Sequence, residues 1–294
     1  MNSKTMLFGG SGLLGPVILE RYPEIISVGR SAPPNHIKNR HINIKDLDDL
    51  SALDSLDFDK VIFLIGNSNH HLINAEAAMG IDFNVTPLKK ALFYFQKRNI
   101  KKLICFSTIL LYDAEKIKPP VDESQPTNPF ANDYIFSKYL AEEVANFYKN
   151  KVPIITIRLS NIYGPTKLTR PDLIPTLIQG LLSKDEITVW SKKPVRDFLY
   201  LPDAASAIVK LLDTDYTGVV NLGTGNSISV GEIADILEKI SGKKITDLNK
   251  EVSGPMNLRC DISLLKKLTG WEPEHTTEEG LRLTYNQMKE WGVK

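Results

Sequence analysis

The chain has 294 residues, of which 42% are hydrophobic and 24% charged, with 18 Gly and 17 Pro. This ordinary globular composition excludes fibrous and disordered proteins, and the length allows two lobes or one large α/β unit. Because 36 Lys and Arg almost cancel 35 Asp and Glu, the net charge of +1 gives no electrostatic case for a nucleic-acid or membrane-surface partner.

Six short apolar runs are typical of strands buried on both faces of a parallel sheet. They lie at 6–8, 25–28, 61–65, 103–106, 154–157 and 219–222. Helical patterns over 75–98 and 133–149 separate the third, fourth and fifth runs. This alternation predicts an α/β protein with βαβ units in a doubly wound parallel Rossmann sheet.

The first run leads into a glycine-rich loop, MLFGGSGLLG at 6–15, which fits both GxxGxxG and GxGxxG spacing. Glycines at the mouth of a helix let backbone N–H groups approach a pyrophosphate. The loop therefore predicts dinucleotide binding, and a glycine-rich turn without a ligand is the alternative. The predicted contacts are Gly9, Ser11, Gly12, Leu13, Leu14, Gly15 and, after the third run, Ile65.

The end of the second run holds Gly29, Arg30 and Ser31, where an NAD-specific site places an acid for the ribose 2′-hydroxyl. An arginine offers a cation to a 2′-phosphate instead, so we expect NADP, with NAD as the alternative. Asp46 is predicted either to bond the adenine or to be a solvated turn residue.

Two later patterns suggest proton transfer. Tyr134 and Lys138 lie four residues apart on a predicted helix, which puts both on one face, and an adjacent ammonium favours the phenolate form of a tyrosine. Tyr134 is thus a candidate general acid for an oxygen that gains charge when hydride reaches a carbonyl. Thr108 or Ser107, at the end of the fourth run, could hydrogen-bond the same oxygen. A surface Tyr–Lys pair and a simple turn are the alternatives.

The later part of the chain is less regular and contains no second glycine-rich nucleotide loop. Helical stretches at 230–240 and 262–268 follow the run at 219–222. We expect 1–165 plus about 195–224 to form the dinucleotide-binding domain. About 166–194 and 225–294 are expected to form a smaller, discontinuous α/β lobe that binds the substrate.

These motifs, in this order, resemble the extended short-chain dehydrogenase/reductase family, particularly its nucleotide-sugar epimerases, dehydratases and reductases. The resemblance covers nearly the whole chain. It is carried by GGSGLLG at 9–15, FNV with Asn84, FSTILLY at 106–112, YIFSK at 134–138, RLSNIYGP at 158–165, VRDFLYLPD at 195–203, NLGTG at 221–225 and LTGWEP at 268–273.

The resemblance implies a role for several residues. Tyr134 corresponds to the catalytic tyrosine, Lys138 to the lysine that also holds the nicotinamide ribose, and Thr108 to the catalytic Ser/Thr. Asn161 and Arg196 correspond to residues that contact the phosphates of a nucleoside-diphosphate sugar, although Arg196 could instead pair with a neighbouring aspartate. Arg259 is the third substrate-binding candidate, in the stretch SGPMNLRCD, which departs from the usual family segment.

The residues after Thr108 reduce the number of family reactions that this chain could catalyse. Family dehydratases and decarboxylases carry acids there, and fucose-type epimerase-reductases carry a cysteine, whereas this chain has Ile109, Leu110 and Leu111. Two reactions remain. One is that of an NADPH-dependent reductase of a nucleoside-diphosphate 4-keto-6-deoxy sugar, and the other is that of a 4-epimerase with tightly bound NAD. Arg30 favours the reductase. A non-catalytic NADP-binding regulator is the third reading, disfavoured because such proteins commonly lack the Tyr–Lys pair.

The remaining expectations concern the cellular location, the cysteines and the oligomeric state of the protein. No stretch approaches the roughly 18 apolar residues of a membrane helix, and MNSK leads into the first run without a signal-peptide core, so we expect a cytoplasmic protein. Cys105 and Cys260 lie far apart with no Cys or His at metal-ligand spacing, which predicts no disulfide framework and no metal site. The family resemblance implies a homodimer formed through helices around 82–97 and 133–148.

Overall fold

The computed structural model describes residues 5–76, 78–168, 171–252 and 254–293. Its first elements are β1 (Thr5–Phe8), α1 (Gly15–Arg21), β2 (Ile26–Gly29), β3 (His41–Asn43), β4 (Lys60–Phe63), α2 (His70–Ala75), α3 (Thr86–Phe95), β5 (Lys102–Thr108), α4 (Asp133–Tyr148) and β6 (Ile154–Leu159). They are followed by β7 (Asn161–Tyr163), α5 (Leu173–Ser183), β8 (Glu186–Val189), β9 (Val195–Arg196), β10 (Phe198–Tyr200), α6 (Leu201–Leu211), β11 (Gly218–Leu222), β12 (Ile228–Ser229), α7 (Val230–Ser241), β13 (Lys244–Asp247), β14 (Asn257–Leu258), α8 (Ser263–Thr269) and α9 (Thr277–Glu290).

Seven strands form one sheet in the order β11–β6–β5–β4–β1–β2–β3. Neighbouring strands from β6 to β3 pair in parallel. The chain order reverses between β1 and β4, and in open α/β sheets such a switch point leaves a crevice for ligands outside the carboxyl ends of the strands. The sheet confirms the predicted doubly wound α/β fold. All six predicted strands are present, and the additional strand, β3, has only three residues, too few for a sequence pattern.

The sheet is buried because its strands are apolar on both faces. Met6, Leu7 and Phe8 of β1 are fully buried, and Phe8 meets Phe95 of α3 edge to face at 5.6 Å between ring centroids. Cys105 belongs to the same apolar core. The packed core fixes the strand ends, from which the candidate site residues project.

The predicted helix over 75–98 is wrong in its extent. The chain leaves helical geometry at Glu76, the cap of α2, and Ala77 lies outside the described residues. Beyond it a π-turn at Ile81–Val85 leads into α3, with Thr86 N–H bonded to the Ile81 carbonyl. Pro87, in the first turn of α3, has no N–H to continue the α-helical bonding pattern, and this explains the local widening. By contrast, α4 confirms the helix predicted over 133–149.

The contacts divide the chain into two compact units. The first consists of Met1–Tyr112, Thr127–Leu159 and Ala205–Val220, and the second of Asp113–Pro126, Ser160–Ala204 and Asn221–Lys294. In the second unit, short strands pair as β7–β10, β8–β13 and β12–β9–β14, and α5, α7 and α9 contribute to an apolar core. Among the described residues, no helix has the length and apolar character needed to cross a bilayer.

Candidate active site

The glycine loop follows β1 at the switch point of the sheet. Gly9 has a φ of 92°, a conformation that favours glycine, and its carbonyl accepts from Gly12 N–H at 3.2 Å. A Cβ built on Gly15 would lie 2.6 Å from the Gly9 carbonyl oxygen, and one on Gly10 would lie 2.5 Å from Ser27 Oγ. Gly15 is required because the backbone of Gly9 and Gly10 lies so close to it, and Gly10 leaves space for the Ser27 side chain of β2.

The outer side of this loop has room for a ligand. Ser11 and Gly12 are exposed, and the nearest atom to a Cβ on Gly12 would be 3.5 Å away, an ordinary contact distance. Helix α1 begins after Leu14 without a side-chain cap, so no side-chain oxygen caps the N–H groups of its first turn. Ile65, after β4, has its backbone N 3.2 Å from a Cβ built on Gly9. The predicted dinucleotide contacts Gly9 and Ile65 therefore lie together at the carboxyl ends of β1 and β4.

Arg30 and Asp46 lie beyond the ends of β2 and β3. The Arg30 side chain is exposed, and its carbonyl accepts from Asn43 Nδ2 at 2.9 Å. Asp46 Oδ1 accepts from the backbone N–H groups of Asp48 at 2.9 Å and Asp49 at 3.3 Å. Asp46 thus forms a turn, which is one of the two alternatives predicted for it. Its role toward adenine stays a prediction.

Helix α4 carries Tyr134 and Lys138 on the face that packs into the first unit, where both side chains are buried. The helix begins with Asn132, whose side chain accepts from Ile135 N–H at 3.0 Å, so the first turn is capped. Tyr134 is 6% exposed, and Lys138 Nζ lies 6.0 Å from the centre of its ring. The Tyr–Lys pair is therefore buried, which disfavours the alternative of a solvated surface pair.

The ammonium of Lys138 lies in a poorly solvated position. Nζ is 3.4 Å from the Phe106 carbonyl oxygen of β5, and a Cβ built on Gly66 would lie 3.7 Å from it. Burial lowers the pKa of Lys138 from 10.5 to about 8, and the nearby Cys105 thiol opposes this only partly. A cation held here favours the phenolate of a neighbouring tyrosine and can bond sugar hydroxyls.

We expect Lys138→Met to stabilise the chain without cofactor at pH 7. Because the pKa of Lys138 falls from 10.5 to about 8 on folding, the cost of burying the ammonium is fully present below about pH 8. It is relieved as pH rises from about 8 to 10.5, so stability rises with pH over that window. At about 1.4 kcal/mol per tenfold change in ionisation, the variant gains about 3 kcal/mol at pH 7.

Urea unfolding of the cofactor-free protein between pH 7 and 10.5 measures this effect. The wild-type free energy of unfolding should approach that of Lys138→Met as pH rises. Lys149→Met, at an exposed position just beyond α4, is the matched control and should leave the pH dependence unchanged. A constant difference between wild type and Lys138→Met across this range would contradict the assignment.

The last two residues of β5, Ser107 and Thr108, carry hydroxyl groups. Thr108 Oγ1 accepts from Leu110 N–H at 3.2 Å, which leaves its own proton free to donate to a bound oxygen. Ser107 Oγ is buried and has no hydrogen-bond partner among the described residues. This hydroxyl without a partner belongs to β5, whose Phe106 carbonyl contacts Lys138 Nζ, and it fits a site that a polar ligand completes. The structure thus fits a nicotinamide dinucleotide at the glycine loop and the end of β5.

The sequence did not assign a role to the side chains that hold α4 in place. Asn84, in the π-turn, donates to Ser137 Oγ at 3.0 Å, and Ser137 Oγ donates to the Tyr134 carbonyl at 2.7 Å. On the other side, Asn74 Oδ1 accepts from Tyr134 N–H at 2.9 Å. These bonds fix the first turn of α4 and therefore the direction of the phenol. The FNV motif, which contains Asn84, was the available sequence signal.

His70 also lies close to the candidate site. His70 and His71, to which the sequence analysis assigns no role, are the first two residues of α2. The rings of His70 and Tyr134 have centroids 6.2 Å apart, and His71 packs on His70 at 4.2 Å. No local pattern could reveal this contact, because it joins residues that are far apart in the chain.

The three predicted substrate residues lie together in the second unit. Asn161 Nδ2 donates to the Asp197 carbonyl at 3.2 Å, and Leu258, next to Arg259, is the register partner of Arg196. Arg196 Nη1 donates to the Val195 carbonyl at 2.9 Å. The structure therefore groups Asn161, Arg196 and Arg259 around β9.

Arg196 is not paired with the aspartates that the sequence offered as alternatives. The buried Asp197 carboxylate accepts from Thr224 and Gly225 N–H at 2.8 and 3.1 Å, and burial raises its pKa to about 6. Asp203 contacts His275 Nδ1 at 2.8 Å. Both carboxylates have other partners, so the Arg196 guanidinium keeps donors available for a ligand.

Comparison with known proteins gives one family and several relatives. The model of the NAD dependent epimerase/dehydratase family matches residues 5–223. The chain is 32% identical to a UDP-glucuronate 4-epimerase of Thermodesulfobacterium geofontis over 71% of this chain and 66% of the relative, just under two thirds of that protein. It is 28% identical to a putative UDP-glucose 4-epimerase of Methanocaldococcus jannaschii over 97% of this chain and 98% of the relative.

Solved structures share the fold at lower identity. The UDP-N-acetylglucosamine 4-epimerase from Methanobrevibacter ruminantium, in complex with UDP-N-acetylmuramic acid, superposes with a TM-score of 0.89 and 23% identity, covering 99% of this chain and 100% of that one. This likeness covers nearly the whole chain and agrees with the Rossmann-type fold described above.

Proposed function

Because the chain belongs to the NAD dependent epimerase/dehydratase family, we propose that it is a nucleotide-sugar 4-epimerase that works with a tightly held NAD. The family membership confirms the resemblance given by the sequence motifs, and the protein is an NAD(P)-linked enzyme of the nucleotide-sugar group. The named relatives support the 4-epimerase better than the reductase that the sequence favoured. The family description and solved neighbouring structures that contain NAD support NAD better than NADP, the first choice from Arg30.

The observation that carries the proposal is the set of groups around the phenol. Tyr134 and Lys138 are buried, and Thr108 is followed by Ile109 and Leu111, which are buried and apolar. Dehydration and decarboxylation use a further acid or base beside the sugar, and these positions offer none. One phenol that takes a proton and gives it back is sufficient for inversion of a single carbinol carbon.

Each side chain has a defined task in this proposal. Tyr134 removes the proton of the C4 hydroxyl and later returns it. The Thr108 proton donates to the same oxygen and stabilises the charge that develops on it. The cation of Lys138 favours the phenolate of Tyr134 and bonds the ribose next to the nicotinamide. When bound, NAD supplies the hydride acceptor and donor.

The substrate contacts are assigned to the second unit. Arg196 and Arg259 would hold the diphosphate of a nucleoside-diphosphate sugar, since a guanidinium suits the geometry of phosphate oxygens. Asn161 donates its side-chain amide to the Asp197 carbonyl, and its amide oxygen remains as an acceptor for the ligand. The relatives suggest UDP as the nucleotide.

A homodimer is part of the proposal. Phe93 of α3 is 57% exposed and Phe147 of α4 is 73% exposed, and large exposed aromatic side chains on adjacent helices suit an interface. Sedimentation of the wild type should give a dimer, and Phe93→Glu with Phe147→Glu should give monomers. A monomeric wild type would contradict the dimer without affecting the proposed reaction.

One observation keeps a second function in consideration. Arg30 ends β2 with an exposed side chain, where an NAD-specific enzyme has an acid. An arginine there favours NADPH, and consumption of NADPH belongs to the reductase of a 4-keto-6-deoxy sugar. The two functions differ in whether the coenzyme is consumed.

Arg30→Ala tests whether this arginine selects the coenzyme. If it binds a 2′-phosphate, the variant loses about tenfold or more in affinity for NADPH while its affinity for NADH hardly changes, because only NADPH carries that phosphate. Fluorescence titration of both coenzymes measures the two affinities. The 4-epimerase proposal expects equal and small effects on both.

The proposed function is tested by the coenzyme content and the coenzyme requirement of the purified protein. Released nucleotide should be NAD at about one per chain. Without added coenzyme, the protein should interconvert UDP-glucose and UDP-galactose, or the corresponding uronic acids. Turnover of 4-keto sugars that requires added NADPH would support the reductase and refute the proposal.

A further inference from the structure

We propose that Arg158 is a positioning residue for Lys138: by holding the Glu142 carboxylate, it prevents that carboxylate from pairing with the lysine. This inference rests on the proposed role of Lys138 in catalysis. Arg158 lies on β6 and Glu142 on α4, so the contact joins the sheet to the helix that carries the Tyr–Lys pair.

The ion pair is bidentate and buried. Arg158 Nε and Nη2 lie 3.0 and 2.8 Å from the two carboxylate oxygens of Glu142, and the side chains are 9% and 10% exposed. The guanidinium carbon lies 4.8 Å from the centre of the Tyr112 ring. This geometry fixes the direction of the Glu142 carboxylate.

Glu142 is also the closest acidic neighbour of Lys138 along the helix. The two residues are four positions apart on α4, a spacing that puts side chains on one face. The Cys105 thiol of β5 is influenced by the charges of both. Nevertheless Lys138 Nζ contacts the Phe106 carbonyl at 3.4 Å, and Glu142 contacts Arg158 instead. Two opposite charges that could pair are thus kept apart.

Removal of Arg158 would leave a buried carboxylate without its cation, which is costly. The Lys138 ammonium is the cation available on the same helix face. Pairing would draw Nζ away from the Phe106 carbonyl and raise the lysine pKa, because an opposite charge favours the ammonium form. The Arg158–Glu142 pair therefore leaves Lys138 with the low pKa that burial gives it, about 8.

Among the described residues around Lys138, no other group is a comparable anion. Tyr134 shares its helix, the π-turn contributes the neutral amide of Asn84, and α2 contributes the His70 ring beside Tyr134. The Cys105 thiol is buried, and burial raises its pKa to about 11. Tyr112 faces Arg158. Glu142 is therefore the carboxylate that can pair with Lys138 once Arg158 is removed.

The test measures the pKa of the Lys138 amine directly, by trace acetylation at a series of pH values and mass spectrometry of the modified peptide. The full chain is used with its bound nucleotide removed. Arg158→Met should raise the midpoint for Lys138 by about one pH unit or more, since Glu142 becomes its partner. Glu142→Gln should lower it, because the charge of Arg158 is then uncompensated.

Two further variants complete the design. The double variant Arg158→Met with Glu142→Leu removes both charges and should return the midpoint to within about 0.5 pH unit of the wild type; apolar replacement of a buried pair is tolerated better than loss of one partner. If Arg158→Met alone does not fold, a lowered midpoint in Glu142→Gln together with a wild-type midpoint in the double variant supports the inference, and an unshifted Glu142→Gln overturns it. Glu143→Gln, at an exposed neighbouring position, is the control and should cause no shift.

Shifts of opposite sign in the two single variants support the inference. Equal midpoints in all variants, or shifts of the same sign, overturn it and reduce the ion pair to a structural contact. Acetylation does not require turnover, so the result is independent of the proposed reaction. If the midpoints shift as expected but Tyr134 proves dispensable, the proposed function fails and the inference about Lys138 remains.

Discussion

Tyr134→Phe is expected to reduce sugar turnover by about 10²–10⁴-fold, the range for loss of a positioned general acid–base group. The substitution removes only the phenolic oxygen from a side chain that is 6% exposed and packs with Ile73, Leu111 and Ile135. The ring keeps its contacts, and Tyr134 N–H still donates to Asn74. Folding and nucleotide binding should therefore be nearly unchanged.

Initial rates with the nucleotide sugar, together with nucleotide content and the thermal midpoint, measure these effects. Tyr139→Phe is the matched control, because it removes a hydroxyl from the same helix at a half-buried position. It should retain the wild-type rate. A Tyr134→Phe variant that turns over within a few-fold of the wild type would remove the phenol from the mechanism.

Gly15→Ala is expected to have the largest effect on folding. The added Cβ would lie 2.6 Å from the Gly9 carbonyl oxygen and 2.7 Å from Gly10 Cα. Both are backbone atoms of the loop that joins β1 to α1, so they cannot move as the end of a side chain would. Overpacking of this kind costs about 1–3 kcal/mol or more, and urea unfolding measures the loss.

Gly12→Ala is the informative counterpart. Its Cβ would be 3.5 Å from the nearest atom, the Gly9 carbonyl oxygen, and the position is exposed. The stability should change by no more than about 0.5 kcal/mol, whereas affinity for the dinucleotide should fall about tenfold or more, since the methyl group occupies the space where a pyrophosphate approaches. Unchanged affinity would show that the exposed side of the loop is not the phosphate site.

The parts of the site that the sequence predicted are those encoded by local patterns. Buried strands of four to seven residues, such as β1 and β5, appear as apolar runs, and the glycines that follow β1 mark a turn that only glycine allows. Tyr134 and Lys138 share a helix face by spacing alone. These local signals placed the dinucleotide loop, the end of β5 and the Tyr–Lys pair in one unit.

The remainder depends on contacts between distant segments. The end of α2 at Glu76 is not predictable from the sequence, because Glu76 and its alanine neighbours favour helix. Strands such as β9 and β12 have two residues each, too few for any period. The Arg158–Glu142 pair joins residues that carry no motif together, and its relation to Lys138 becomes visible only when β6 packs against α4.

The most direct test of the 4-epimerase proposal follows the hydrogen on C4 of the sugar. Protein that carries only its own nucleotide is incubated with a UDP-sugar deuterated at C4, and both products are analysed by NMR. The account predicts a mixture of the two C4 epimers, each with deuterium still at C4, because the hydrogen returns to the carbon that it left. Loss of the label, or no epimer without added NADPH, would contradict it.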